Sequence, residues 1–168
     1  MVTHSTDLIH VYNRAKDGNF QTWSQKNIFQ NNSSAFSKIK YGEAEISVPP
    51  SWYAWAEENS NVLSLKISKL PEAIDSHGVI VFLKDREWQE ESLKTAMAKM
   101  GSADKNLKLS IEKWNGREWL VSKESKVDEI KISVRTITDV HKFKWAQAEG
   151  PKSSESELVA TLKSLTIK

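Results

Sequence analysis

Ile46-Ser47-Val48-Pro49-Pro50-Ser51-Trp52 is the stretch on which the fold turns. Ile46 and Val48 share one side of a short strand, because side chains alternate along extended backbone. Pro49 and Pro50 then end it, since proline has no N–H for a sheet ladder and fixes its own φ. Trp52 follows at once, a large apolar body with one polar N–H that a proline-made corner can turn inward.

Working outward toward the C-terminus, apolar residues recur at strand and helix periods. Leu63, Leu65 and Ile67 alternate with Ser64, Lys66 and Ser68, which predicts a strand with one dry and one wet side. Pro71 to His77 reads as a loop. Val79-Ile80-Val81-Phe82-Leu83 is a continuous apolar run, expected as a central strand buried on both faces. Asp85 is then placed as the N-cap of a helix carrying Leu93, Ala96, Met97 and Met100, with Gly101 as its stop. Four strands follow: Leu107–Glu112, Trp119–Ser122, Glu129–Arg135 with Ile130, Ile132 and Val134 inward, and His141–Gln147. Asn115-Gly116 joins the first two as a hairpin turn, both residues tolerating positive φ. In the last strand Phe143 and Trp145 take one side, Lys142 and Lys144 the other. Ser154 and Glu157 have capping-box spacing, and Leu158, Leu162 and Leu165 form the apolar stripe of a closing helix.

Toward the N-terminus the pattern weakens. Residues 1–42 are set apart as an extension, with a hairpin about Asp17-Gly18 and a linker at Asn31-Asn32-Ser33-Ser34. Residues 43–168 form the domain.

The totals exclude several classes. The chain has 168 residues, enough for one domain with a real core. Lys and Arg number 24 against 22 Asp and Glu, a net charge of +2 that speaks against a nucleic-acid binder. There is no cysteine, so disulfides, thiolate nucleophiles and Cys-ligated zinc are out. His4, His10, His77 and His141 are scattered, with neither HxH nor HExxH spacing, and no metal site is expected. No GxSxG, P-loop or GxGxxG occurs, so neither a catalytic motif nor a cofactor is expected. No apolar run approaches the roughly 20 residues of a membrane span. No signal peptide is visible; the expected compartment is the cytoplasm for a full-length chain, or the periplasm or a lipid anchor if a leader has been removed.

The order of strand, Pro-Pro-Ser-Trp corner, two or three strands, helix, four strands and capped helix resembles the PsbP-like fold family. That family includes PsbP, a Ran-binding nuclear-import factor, DcrB-type lipoproteins and Eag-type secretion chaperones. The resemblance is carried by Ile46, Val48, Pro49 and Trp52, by the Asn115-Gly116 hairpin, and by the Leu158–Leu165 helix, and it spans residues 43–168. It implies an α+β fold, a mainly antiparallel β-sheet with helices packed on it as an α/β/α sandwich. It also implies an accessory or binding role rather than catalysis.

Candidate contact residues come from the aromatics and lysines. Tyr53, Trp55, Trp114 and Trp119 lie near expected loops, where an exposed indole serves as a binding anchor. Core packing is the competing reading, favoured for Trp52, Trp88 and Trp145. Lys142 and Lys144, with Lys131 and Arg135, make a basic stripe for an acidic partner or nucleic acid, against a solvated face or a guarded strand edge. Paired carboxylates such as Glu57-Glu58 and Glu90-Glu91 read as solvated surface. The expectation is a non-catalytic accessory protein engaging a protein partner, chaperone- or adaptor-like. A carrier of a small lipid or sugar is the alternative, and a hydrolase comes third.

Overall fold

The computed structural model describes residues 28–59, 62–70, 77–90 and 92–168. The Asp17-Gly18 hairpin, His4, His10, Glu91 and most of the Pro71–His77 loop lie outside the described residues. The elements are β1 (Phe29–Gln30), β2 (Ser37–Tyr41), β3 (Ala44–Val48), β4 (Tyr53–Asn59), β5 (Val62–Ser68), β6 (Gly78–Glu87), α1 (Leu93–Ala103), β7 (Lys108–Trp114), β8 (Arg117–Ser125), β9 (Glu129–Asp139), β10 (Lys142–Pro151), α2 (Glu155–Lys163) and β11 (Thr166–Ile167). The eight-stranded sheet runs β1-β4-β5-β6-β10-β9-β8-β7, and a smaller one runs β11-β3-β2. Every pairing between neighbouring strands is antiparallel. From β3 onward the order follows the expected one, with the short β11 added.

The corner is built as a tight turn. Trp52 N–H donates to the Pro49 carbonyl at 3.1 Å, with Pro50 and Ser51 between them and Ser51 at φ 71°. That is the layout of a type II turn, which suits Pro at its first central position and requires positive φ at its second. Asn31 clamps the corner from outside. Its side-chain amide donates to the Val48 and Ala35 carbonyls, and its backbone exchanges bonds with Ser51 and Trp52. Residues 28–42, grouped with the extension in the sequence reading, thus supply β1, β2 and this clamp. Trp52 is turned fully inward, 1% exposed, and meets His77 edge-on at 5.3 Å.

The main core fills one face of the large sheet. Leu65, Ile67, Val79, Val81, Ile132, Val134, Ala146 and Ala148 point into it. The small sheet with Ile39, Ile46 and Val48, and α2 with Leu158 and Leu162, close over them. Full burial of each such leucine contributes about 1.5–3 kcal/mol. A second cluster lies on the opposite face, where Leu93 and Ala96 of α1 meet Leu120. Adjacent residues Leu120 and Val121 serve the two clusters, as strand alternation demands. A helix therefore sits on each side of the sheet, α2 against β10, β3 and β6 and α1 against β7 and β8.

Several local expectations need correction. Asp85 caps no helix: β6 continues to Glu87 because Lys142 and Phe143 pair with Glu87 and Arg86. Pairing outweighs the polar composition of Lys84–Glu87. The helix starts at Leu93, with Ser92 Oγ accepting from Thr95 N–H, and runs through Gly101 to Ala103. Ser154 occupies the N-cap of α2 but makes no side-chain cap bond. A 3₁₀ turn over Lys152–Ser154 leaves it at φ −101°, ψ 9°, away from the extended conformation that aims a cap oxygen at the helix. Val79 and Val81 are buried, but Ile80 and Phe82 on the other face are only half-buried.

Candidate functional site

α1 covers only the β7–β8 end of the second sheet face. Across β6, β10 and β9 that face carries Ile80, Phe82 and, past the register irregularity, Arg86, then Gln147 and Trp145, then Ser133 and Arg135. Register puts Trp145 directly opposite both Phe82 and Arg135. The Trp145 and Phe82 rings stack at 4.0 Å with planes 9° apart. The Arg86 guanidinium lies over Trp145, 5.6 Å from the ring centroid, and that of Arg135 lies over Phe143 at 5.5 Å. Phe143 in turn packs against Trp88 at 4.9 Å. Cations over aromatic faces are attracted by the ring quadrupole, which fixes both arginines as a pair beside the stack.

Electrostatics add to this picture. Burial lowers the Arg135 pKa; the Glu90 carboxylate opposes that shift and the Arg86 charge adds to it. Glu90 is itself held by Lys99 at 2.9 Å. The buried indole nitrogens of Trp88 and Trp145 have no hydrogen-bond partner among the described residues. A cleft of about 540 Å³ opens here, lined by Leu63, Phe82, Lys84, Asp85, Arg86, Glu87 and Trp145. The arrangement offers flat apolar surface and two guanidinium forks, which is recognition chemistry for an anionic, partly apolar ligand.

The six residues singled out from sequence do not come together. Tyr53 is half-buried, its hydroxyl accepting from Gln30 Nε2 at 3.2 Å. Trp55, Trp114 and Trp119 were expected as exposed anchors, but they are 3%, 9% and 0% exposed. Trp114 and Trp119 stack at 5.8 Å inside the main core. Their hairpin is capped, because the Asn115 amide donates to the Lys163 and Leu165 carbonyls. Lys142 is exposed at the strand end. Lys144 lies on the side opposite Trp145 as expected, but it is buried, reaching Asp85 Oδ1 at 2.7 Å and Glu43 Oε2 at 3.3 Å. The basic stripe is therefore split between the two faces, and Arg135 is the member that joins the aromatic site.

Phe82 and Arg86 were not singled out, and Trp145, assigned to core packing, is only half-buried. The signal for them is the pairing of β6 with β10, whose register is offset by an irregularity between Phe143 and Trp145 that no local pattern marks. Among the described residues no group of three or more His, Cys, Asp or Glu is placed to hold a metal. Among them, too, no helix is long and apolar enough to cross a membrane.

No protein-family model matches the chain, and no curated protein matches it. Solved structures do. The solution structure of cyanobacterial PsbP (CyanoP) from Synechocystis sp. PCC 6803 superposes with TM-score 0.50 at 11% identity, over 81% of this chain and 94% of that one. A crystal structure from Bacteroides thetaiotaomicron VPI-5482 superposes with TM-score 0.48 at 13% identity, over 81% of this chain and 49% of that one. With its corner, its antiparallel sheet and a helix on each side, the chain has a PsbP-like α+β fold.

Proposed function

We propose that this is a non-catalytic accessory protein that holds a protein partner against the open face of its large sheet. The PsbP-like fold fits an accessory role. The observation that carries the reading is the Phe82–Trp145 stack with Arg86 set on Trp145 and Arg135 on the adjoining Phe143. Aromatic and arginine side chains are the ones most enriched among binding hot spots.

The test uses the full chain as bait and compares it with the Arg86→Glu/Arg135→Glu variant. The wild type is expected to retain a partner in native mass spectrometry and to release it at high salt, while the variant does not retain it. Equal retention by both, or turnover of generic ester and phosphoester substrates by the pure protein, contradicts the reading.

One observation favours the carrier of a small apolar ligand as a second reading. A groove of about 340 Å³ between α2 and β7 sets Trp114, Val121, Ile132 and Leu162 among charged lining residues that include Lys108, Lys123 and Lys163. Quenching of Trp114 by a brominated fatty acid supports that reading, and an unchanged emission removes it.

A further inference from the structure

Strand β6 is longer than its neighbour. β5 pairs with it from Gly78 to Phe82, whereas β10 pairs with it out to Glu87. Among the described residues, Arg86 and Glu87 pair with β10 alone, Lys84 and Asp85 lie at the register irregularity with no strand partner on either side, and all four residues are exposed. A strand edge of this kind presents backbone N–H and C=O groups ready to pair with another chain. The cleft of about 540 Å³ lies along this edge, with Leu63 at its far wall.

The side chains at the edge are sorted by face. Arg86 lies over Trp145 on the second face and Lys84 lines the same cleft, while Asp85 reaches Lys144 on the first. The two acidic residues already have cations near them. Asp85 is bonded to Lys144 at 2.7 Å, and Glu87 stands opposite Lys142 in register. Lys84 and Arg86 have no carboxylate within ion-pair distance among the described residues, and Arg135 adds a third cation beside them. An incoming strand alternates its side chains in the same way, so one side of it meets cations and the other meets Leu63.

Resting on the reading of this face as a partner surface, we propose that the Lys84–Glu87 edge takes an extended, alternately acidic and apolar segment of the partner as an added strand. Main-chain bonds supply the affinity of such additions, and alternate side chains supply the specificity. Carboxylates of the segment sit over Lys84 and Arg86, and its apolar side chains sit toward Leu63. The competing role for this charged edge is a guard against aggregation; a guard binds no segment.

A short capped peptide of alternating valine and glutamate, titrated into the full chain, is the probe. Amide exchange and chemical shifts at Lys84–Glu87, with Trp145 emission, are the readouts. The expected result is slowed exchange at those amides, no effect from the valine–lysine counterpart, and loss of protection when the peptide backbone is N-methylated. Arg86→Glu and, independently, Lys84→Glu are expected to weaken binding about tenfold, the equivalent of 1.4 kcal/mol; an unchanged amide spectrum in the free variants shows that their fold is intact. Absence of protection at Lys84–Glu87 overturns the added strand. Binding that ignores N-methylation yet still perturbs Trp145 also overturns it, but leaves the partner face standing. Retention of the partner by the Arg86→Glu/Arg135→Glu variant would instead bring down the face itself.

Discussion

Trp145 lies flat on Phe82, their ring centroids 4.0 Å apart, at the point where β10 and β6 pair. The pair ties strands far apart in sequence and remains half-exposed. Phe82→Ala is expected to lower the unfolding free energy by about 1–3 kcal/mol, less than a fully buried ring would cost. Phe82→Leu keeps apolar volume but loses the stack, for about 0.5–1.5 kcal/mol. Urea denaturation measures both, and an unshifted midpoint for Phe82→Ala removes the stack from the stabilising contacts.

Lys144 is inserted between the two sheets, linking Asp85 of β6 to Glu43 in the β2–β3 turn. Burial alone raises the Asp85 pKa, but hydrogen bonds from Lys144 and Thr138 and the charges of Lys144 and Lys142 outweigh it and hold the carboxyl below its ordinary value. A carboxyl depressed on folding contributes stability above its unfolded pKa of about 4, and that stability is lost as pH falls through the folded value. Asp85→Asn is therefore expected to lower stability at pH 7 and to flatten the loss of stability in acid below about pH 4. Thermal melts across that range check it; parallel curves for the two proteins count against the linkage.

Ser51 sits at φ 71° on the exposed side of the proline corner. A left-handed conformation costs a non-glycine residue roughly 1–2 kcal/mol, and glycine gives part of that back through its freer unfolded chain. Ser51→Gly is expected to stabilise the protein by up to about 1 kcal/mol, whereas Ser51→Val destabilises it. Calorimetry of the two variants decides, and a melting point lowered by glycine contradicts the turn geometry.

Asn115 does two jobs in the β7–β8 hairpin. Its φ of 52° suits the turn with Gly116 at 82°, and its amide holds the carbonyls of Lys163 at the end of α2 and Leu165 just after it. Asn115→Gly keeps the first and removes the second, an expected loss of about 1–2 kcal/mol for two partly exposed bonds. Asn115→Ala removes both and is expected to cost about 1 kcal/mol more. Equal stability of the two variants would show that the turn conformation contributes nothing.

Much of the fold was legible because its signals are local. The Pro49-Pro50 break, the Asn115-Gly116 turn and the Leu158, Leu162 and Leu165 stripe each lie within a few residues, and each has its expected place. The errors arise where pairing across the chain decides. Lys84–Glu87 reads as a polar helix start until β10 is known to lie beside it. Trp114 and Trp119 flank a turn, yet α2 and the small sheet cover them, so proximity to a turn did not mean exposure. β11 has only two residues, too few for any periodicity. The site was legible only in part, through Arg135, because its geometry depends on the Phe82–Trp145 register and on a bulge that no composition signal marks.

Amide hydrogen exchange of the full chain, alone and with its captured partner, tests the partner face most directly. The account predicts slowed exchange in Phe82–Glu87 and in Phe143–Gln147, with the groove between α2 and β7 unchanged. Slowing confined to that groove, around Trp114, Val159 and Leu162, with the Phe82–Trp145 face still exchanging freely, would contradict it.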